Sequence, residues 1–255
     1  MTNLIQAECY KLIRNKTFWV LITSITGLSA LLHVLILLDW WQLSGTEFDK
    51  AGLSEFNALS PFTIPLFFNF IVSTLAGFFI STEFTQSSVI KNQIMSGNKR
   101  SHIFIAKYLV FSLGAFIVTV LIPLLTGIIL VLISGQADLL SLPNLMHLAR
   151  AYGLFTLSFL SFTAIVLWIA IATEDSGKTI LFTLLLSIAM FVIEKLITVP
   201  VIQVLYENTF FYQFREAFQY TLTGSEIISF MFIGVVSFIV IMLCGVYRFN
   251  RKEVK

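Results

Sequence analysis

Residues 81–109, STEFTQSSVIKNQIMSGNKRSHIFIAKYL, lie between two long apolar runs, and their reading decides the fold. They hold Lys91, Lys99, Arg100 and Lys107 against the single acid Glu83. Lys and Arg collect in the cytoplasmic loops of membrane proteins, so this stretch reads as a cytoplasmic connection between two spans. Val89, Ile90, Ile94 and Met95 recur at helical spacing, which predicts a short amphipathic helix over about residues 82–95. Ser96-Gly97-Asn98 breaks that helix, and Ser101 is placed to cap the next one. A short helix beneath a membrane is a surface on which a partner can dock. The plainer reading is a solvated basic connector that only sets topology.

Composition supports the surrounding spans. Of 255 residues, 57% are hydrophobic and only 12% charged, which excludes an ordinary soluble domain and predicts a polytopic membrane protein. A net charge of +2 is too small to point to nucleic acid. Cys9 and Cys244 both read towards the cytosol, where a disulfide is not expected. The first apolar run is too long for a cleaved signal, and no small-residue cleavage site follows it.

Six segments can cross a hydrocarbon core of about 30 Å. They lie near residues 17–38, 61–81, 103–133, 151–172, 179–200 and 225–247, and make one all-α integral membrane domain over 1–255. The third is long. It is expected to begin in the cytosol at Lys107 and bend at Pro123, with Gly114 and Gly127 permitting close helix contact. With both termini inside, Lys11, Arg14, Lys16, Lys91, Lys99, Arg100, Lys107, Lys178, Arg248, Arg251, Lys252 and Lys255 fall on the cytoplasmic side. Only Lys50, Arg150 and Arg215 fall outside, and Lys195 sits in the fifth span.

Residues 3–16 place Leu4, Ile5, Cys9, Leu12 and Ile13 on one face, with Gln6, Glu8, Lys11 and Arg14 largely on the other. This predicts an interfacial amphipathic helix whose cations meet lipid phosphates or cytosol. Glu83 is expected to tie the inner end of the second span to that helix through Lys11 or Arg14, with Lys107 as the lesser partner. Its alternative role is as a first-turn acid favoured by a helix dipole. The segment 201–224 carries Phe210, Phe211, Tyr212, Phe214, Phe218 and Tyr220. It is expected to form short helices tucked back into the outer leaflet, or else an aromatic belt.

Motifs for chemistry are lacking. Gly177-Lys178-Thr179 resembles the end of a phosphate loop, but the earlier glycine is Ala172 and no strand precedes it. Ser88 and Lys91 match a Ser-x-x-Lys pattern without any supporting motif. His33 and His147 read near the outer ends of spans and His102 inside, so no metal cluster is expected. Glu194-Lys195 is the one ionisable pair within a span. Its neighbours face apart, so Lys195 is free to snorkel outward and Glu194, with Phe210 and Phe211, is a candidate outer gate.

Taken together, Glu8-x-x-Lys11-x-x-Arg14, the stretch Glu83…Ile90-Lys91…Gly97-x-Lys99-Arg100…Ala106-Lys107, the aromatic segment before the sixth span and the ending Tyr247-Arg248-Phe249-x-Arg251-Lys252 resemble the permease subunit of bacterial ABC-2-type exporters. The resemblance implies a permease of the bacterial cell membrane without catalytic, cofactor or metal residues of its own. It implies pairing with a second six-span unit, either itself or a sister, and with two copies of an ATPase that binds ATP and Mg. That ATPase would dock under Glu83, Ile90, Lys91, Ile94, Lys99 and Arg100, the cytoplasmic coupling helix. The length and the large, acidic first outer loop (Asp39–Ser60) look most like small permeases from Gram-positive bacteria, many of which export peptide antibiotics and give self-immunity or resistance, which suggests an amphipathic peptide as cargo. A small drug, lipid or polysaccharide precursor is the second choice, and an integral-membrane enzyme the competing class.

Overall fold

A computed structural model describes residues 1–38, 63–85, 88–133, 135, 140–196, 199–219 and 221–252. Every regular element among them is helical. Six helices are long and apolar enough to cross a membrane: Lys16–Leu35, Phe68–Thr85, Arg100–Ile133, Leu142–Thr173, Ser176–Ile193 and Gly224–Arg251. The acidic first outer loop lies outside the described residues.

Helix α1 (Thr2–Arg14) precedes the first span, α2 (Lys16–Leu37). Basic residues in its last turn, Lys11 and Arg14, suit the negative end of the helix dipole. The second span is α3 (Thr63–Leu75), a π-helical stretch (Ala76–Ser81) and the turn α4 (Thr82–Thr85). Thus Glu83 belongs to the end of that span rather than to the short helix after it. That helix, α5, is confined to Ser88–Met95. Gly97 at φ 82° turns the chain out of it, and Asn98 Nδ2 donates to the Gln93 carbonyl at 3.0 Å. The next helix starts from Lys99 as N-cap, without a side-chain cap, so Ser101 does not cap it.

The third span runs through α6 (Arg100–Phe116), a second π-helical stretch (Ile117–Leu121) and α7 (Ile122–Ile133). Pro123 has no N–H to offer the carbonyl four residues back, Thr119, and the widened turns sit at this point. Lys107 stands inside this span with no exposed surface, not at a cytosolic start.

The fourth span, α8 (Leu142–Thr173), is the hub, with 67% of its most apolar window buried. It starts nine residues before the predicted boundary, because Ser141 and Pro143 form a good helix start, and so carries Arg150. Arg150 is therefore not a loop residue; its guanidinium donates to the Gln219 carbonyl at 2.6 Å. Glu174, at φ 54°, closes α8 in the left-handed region. The fifth span, α9 (Ser176–Leu196), stops short of Pro200, which opens α10 (Pro200–Glu207). Short helix α11 (Phe210–Glu216) follows, and the sixth span, α12 (Gly224–Arg251), begins with a Thr223–Glu226 capping box.

The aromatic segment turns inward. Phe214 meets Phe68 at 4.7 Å and Phe155 at 5.3 Å between ring centroids, and Phe218 meets Phe155 at 5.6 Å. The second span, fourth span and α11 thereby share one phenyl cluster, which fills the bundle at the end opposite the termini. By contrast, the fifth and sixth spans have only 11% of their windows buried.

Candidate functional site

Helix α1 lies against the start of the third span because that span leaves room for it. A Cβ added at Gly114 would stand 2.8 Å from Leu12 Cδ2, so any larger residue there makes the Leu12 side chain shift. The buried stripe of α1 is Leu4, Glu8 and Leu12, one residue per turn. Glu8 was expected on the polar face; it sits instead between two leucines with 1% exposure.

Four charged side chains close a ring at this place. Lys11 Nζ reaches Glu8 Oε1 at 2.7 Å and Glu83 Oε1 at 3.1 Å. Lys107 Nζ reaches Glu8 Oε2 at 3.1 Å and also pairs with Glu83 Oε2. Each carboxylate therefore bridges both ammonium groups, and the ring carries no net charge. Lys107 is fully buried and the Glu83 side chain is 13% exposed. Gln93 of α5 donates to Glu8 Oε1 at 2.9 Å, which fastens the short helix to the ring. One site thus joins α1, the end of the second span, α5 and the third span.

Glu8 and Lys11 are held in their ionised forms. Burial pushes the Glu8 carboxyl upward, but the Lys107 and Lys11 ammoniums and their hydrogen bonds outweigh it and hold it below its ordinary value. Burial likewise opposes the Lys11 ammonium, while Glu83 and Glu8 hold it above its ordinary value. A ring of this kind gains little over an apolar replacement, yet removing one member strands a buried charge at about 3–5 kcal/mol.

The expected contacts are thus partly redrawn. Lys11, Glu83 and Lys107 come together, and Lys107 is a full partner. Arg14 stands apart, its guanidinium 4.6 Å from the Tyr10 ring centre, because it lies about 120° round α1 from Glu8. Ile90 is fully buried and Ile94 half-buried against the core, so Ile90 offers no docking surface. The outward face of α5 is Lys91, Asn92 and Met95, the last 75% exposed. Lys99 is exposed beside it. Arg100 turns instead to the C-terminus, donating to the carbonyls of Asn250 (3.3 Å) and Lys252.

A second lacing, absent from the sequence reading, lies at the same end. Lys252 pairs with Glu174 at 2.6 Å and donates to the Ile171 carbonyl. Thr85 donates to the Glu174 carbonyl, Ser81 and Thr179 share a hydrogen bond at 2.7 Å, and Ser176 donates to the Gly77 carbonyl at 2.7 Å. Both termini and the turns after the second and fourth spans therefore form one connected layer. At the far end, Phe210 is buried and Phe211 half-buried, whereas the Glu194 side chain lies outside the described residues. Among the described residues, no cluster of His, Cys, Asp or Glu could hold a metal ion.

The family model described as ABC-2 family transporter protein matches residues 4–190, which include the whole ring, the first four spans and most of the fifth. No match was found among curated proteins or solved structures. The chain belongs to the ABC-2 transporter family, and with its six apolar helices it is a multi-pass membrane subunit of an ABC transporter.

Proposed function

We propose that this ABC-2 permease is the transmembrane half of an ATP-driven exporter that moves a hydrophobic or amphipathic peptide outward. Family membership implies an ABC ATPase partner. In this reading that ATPase, in two copies, binds ATP and Mg and docks beneath α5. A second six-span unit, a copy of this chain or a sister, completes the pathway. The end bearing both termini faces the cytosol, as the partition of Lys and Arg supports.

One observation carries the proposal: the buried ring ties the short exposed helix α5, through Gln93 and Glu8, to two spanning helices. Force applied at Met95 and Lys91 has a rigid polar connection into the third span at Lys107. The apolar outward faces of the fifth and sixth spans, with Ile188 57% and Phe232 69% exposed, support lateral access for a membrane-partitioned cargo.

Co-purification with the ATPase tests the docking. Met95→Asp with Lys91→Glu should cut recovery of the complex at least tenfold while the permease remains folded. Undiminished recovery from both substitutions refutes docking at α5. Peptide uptake into inverted vesicles, set against uptake of a small lipophilic drug, tests the cargo.

A further inference from the structure

Away from the ring, the fourth, fifth and sixth spans enclose a lateral groove of about 970 Å³. Its volume lies at the upper end of the range of about 300–1,000 Å³ usual for small-molecule sites. Ile165, Leu185, Met190, Val240 and Cys244 line its walls, and Trp168 stands beside them, 41% exposed. At the end nearer the chain termini the lining changes character. There the groove meets a second cavity of about 550 Å³, with Trp168, Gly245 and Arg248 common to both and Arg251 and Lys252 on the second.

The cations at this mouth are unequal. Lys252 is paired with Glu174, and the Arg251 guanidinium lies 4.4 Å from the Tyr247 ring centre. Arg248 is exposed and has no carboxylate within reach among the described residues. A guanidinium at the end of an apolar trough suits one ligand shape: a hydrocarbon chain ending in a phosphate, which Arg binds in a bidentate fork. From Val240 to Arg248 the wall extends eight residues, about 12 Å. That is close to the ~15 Å depth of one leaflet's hydrocarbon.

We propose that this groove is a binding site for an anionic phospholipid, its acyl chain against Cys244 and Leu185 and its phosphate on Arg248. A second copy of the chain fits less well. Every acid described at that end is already engaged: Glu8 and Glu83 in the ring, Glu174 by Lys252, and Asp175 by the Lys178 N–H at 2.8 Å. Among the described residues the copy would have no uncommitted carboxylate to offer Arg248, whereas a lipid supplies a phosphate. The site requires only that the protein spans a membrane and is independent of cargo or ATPase.

Trp168 provides the probe. With Trp19, Trp40 and Trp41 changed to Phe, the remaining indole reports on the groove. The protein is reconstituted with brominated phosphatidylglycerol or brominated phosphatidylcholine at increasing mole fraction. One basic group favours an anionic lipid by about fivefold, so half-maximal quenching should need roughly one-fifth as much phosphatidylglycerol. Arg248→Gln should erase that difference while both lipids still quench. Equal potency of the two lipids in the Arg248 protein, a difference that survives R248Q, or no quenching by either because protein fills the groove, would each overturn the assignment. Should the triple Trp variant fail to fold, Cys244 on the same wall gives the reading in a Cys9→Ser background. Its alkylation by a lipid-soluble maleimide should slow at lower mole fractions of phosphatidylglycerol than of phosphatidylcholine, and equal rates overturn the assignment.

Discussion

Replacing Lys107 with methionine keeps the bulk of the side chain and deletes one buried cation of the ring. Glu8 then retains Lys11 at 2.7 Å and the amide of Gln93, while Glu83 retains Lys11 at 3.1 Å. One ammonium faces two carboxylates, so the ring carries a net negative charge in a place where Glu8 has 1% exposure. Breaking a buried pair costs about 3–5 kcal/mol, and the surviving Lys11 contacts place this case near the lower figure. For a chain of this size that corresponds to a fall of about 6–12 °C in Tm. The assay is thermal unfolding of the detergent-solubilised protein, followed by fluorescence-detected size exclusion. Lys91→Met, at an exposed position of α5, is the control, and surface changes of this sort stay within about 0.5 kcal/mol. The double variant Glu8→Leu with Lys107→Met leaves Lys11 and Glu83 as a balanced pair and should recover most of the loss. A Tm for K107M within 2 °C of the K91M control, or a double variant worse than either single one, refutes the ring as a structural unit.

Other outcomes follow from the same geometry. Because the Glu8 pKa is depressed, its stabilising contribution is present above about pH 4.5 and lost as pH falls through the lower folded value. The raised Lys11 pKa gives a contribution present below about 10.5 and lost as pH rises through the higher folded value. The contribution of Glu8 and Lys11 to Tm should therefore be flat from about pH 5 to 10, and an acid limb that is unchanged in Glu8→Gln contradicts this assignment. Gly114→Val should cost about 1–3 kcal/mol by pushing on Leu12, and Leu12→Ala should return part of it in the same unfolding assay. Glu83→Lys should impair ATPase stimulation in the reconstituted complex. Reversal at Lys107 should restore more of it than reversal at Arg14, and the opposite order would separate the ring from transmission. A cysteine at Ser44 should react with an impermeant thiol reagent outside intact cells and one at Asn98 should not; external labelling at Asn98 inverts the topology.

The spans were legible because length and apolarity are local properties, and six apolar helices appear where six apolar runs were read, although the start of α8 and the end of α9, among other ends, moved. Those two boundaries moved for reasons also present in the chain, the Ser141–Pro143 helix start and Pro200. Glu8 was harder. A polar residue on an amphipathic helix is assigned by default to the wet face, although Glu8 occupies the middle of the Leu4–Glu8–Leu12 stripe. An acid at that spacing signals a buried partner, and the partner, Lys107, is 99 residues away. The exposed face of α5 was misread for the converse reason. Ile90 and Ile94 looked available because nothing in the local pattern says that a helix covers them with its own bundle. Arg248 likewise reads as one more member of a basic tail until two spans distant in sequence form a groove beside it.

The two π-helical stretches bear on how the ring tolerates change in length. An α-helix advances about 100° per residue, and a π-turn absorbs one additional residue without altering the helix axis much. The stretch Ala76–Ser81 lies immediately before Glu83, so it sets the angular phase at which that carboxylate leaves the second span. Were the same residues wound as ordinary α-helix with none removed, whatever lies beyond them would be rotated by about 100°. Glu83 would then point away from Lys11 and Lys107 while every residue of the ring remained in the sequence. The inserted residue acts as a phase shifter, and the pairing of charges depends on a count of residues in the span above as much as on the charges themselves.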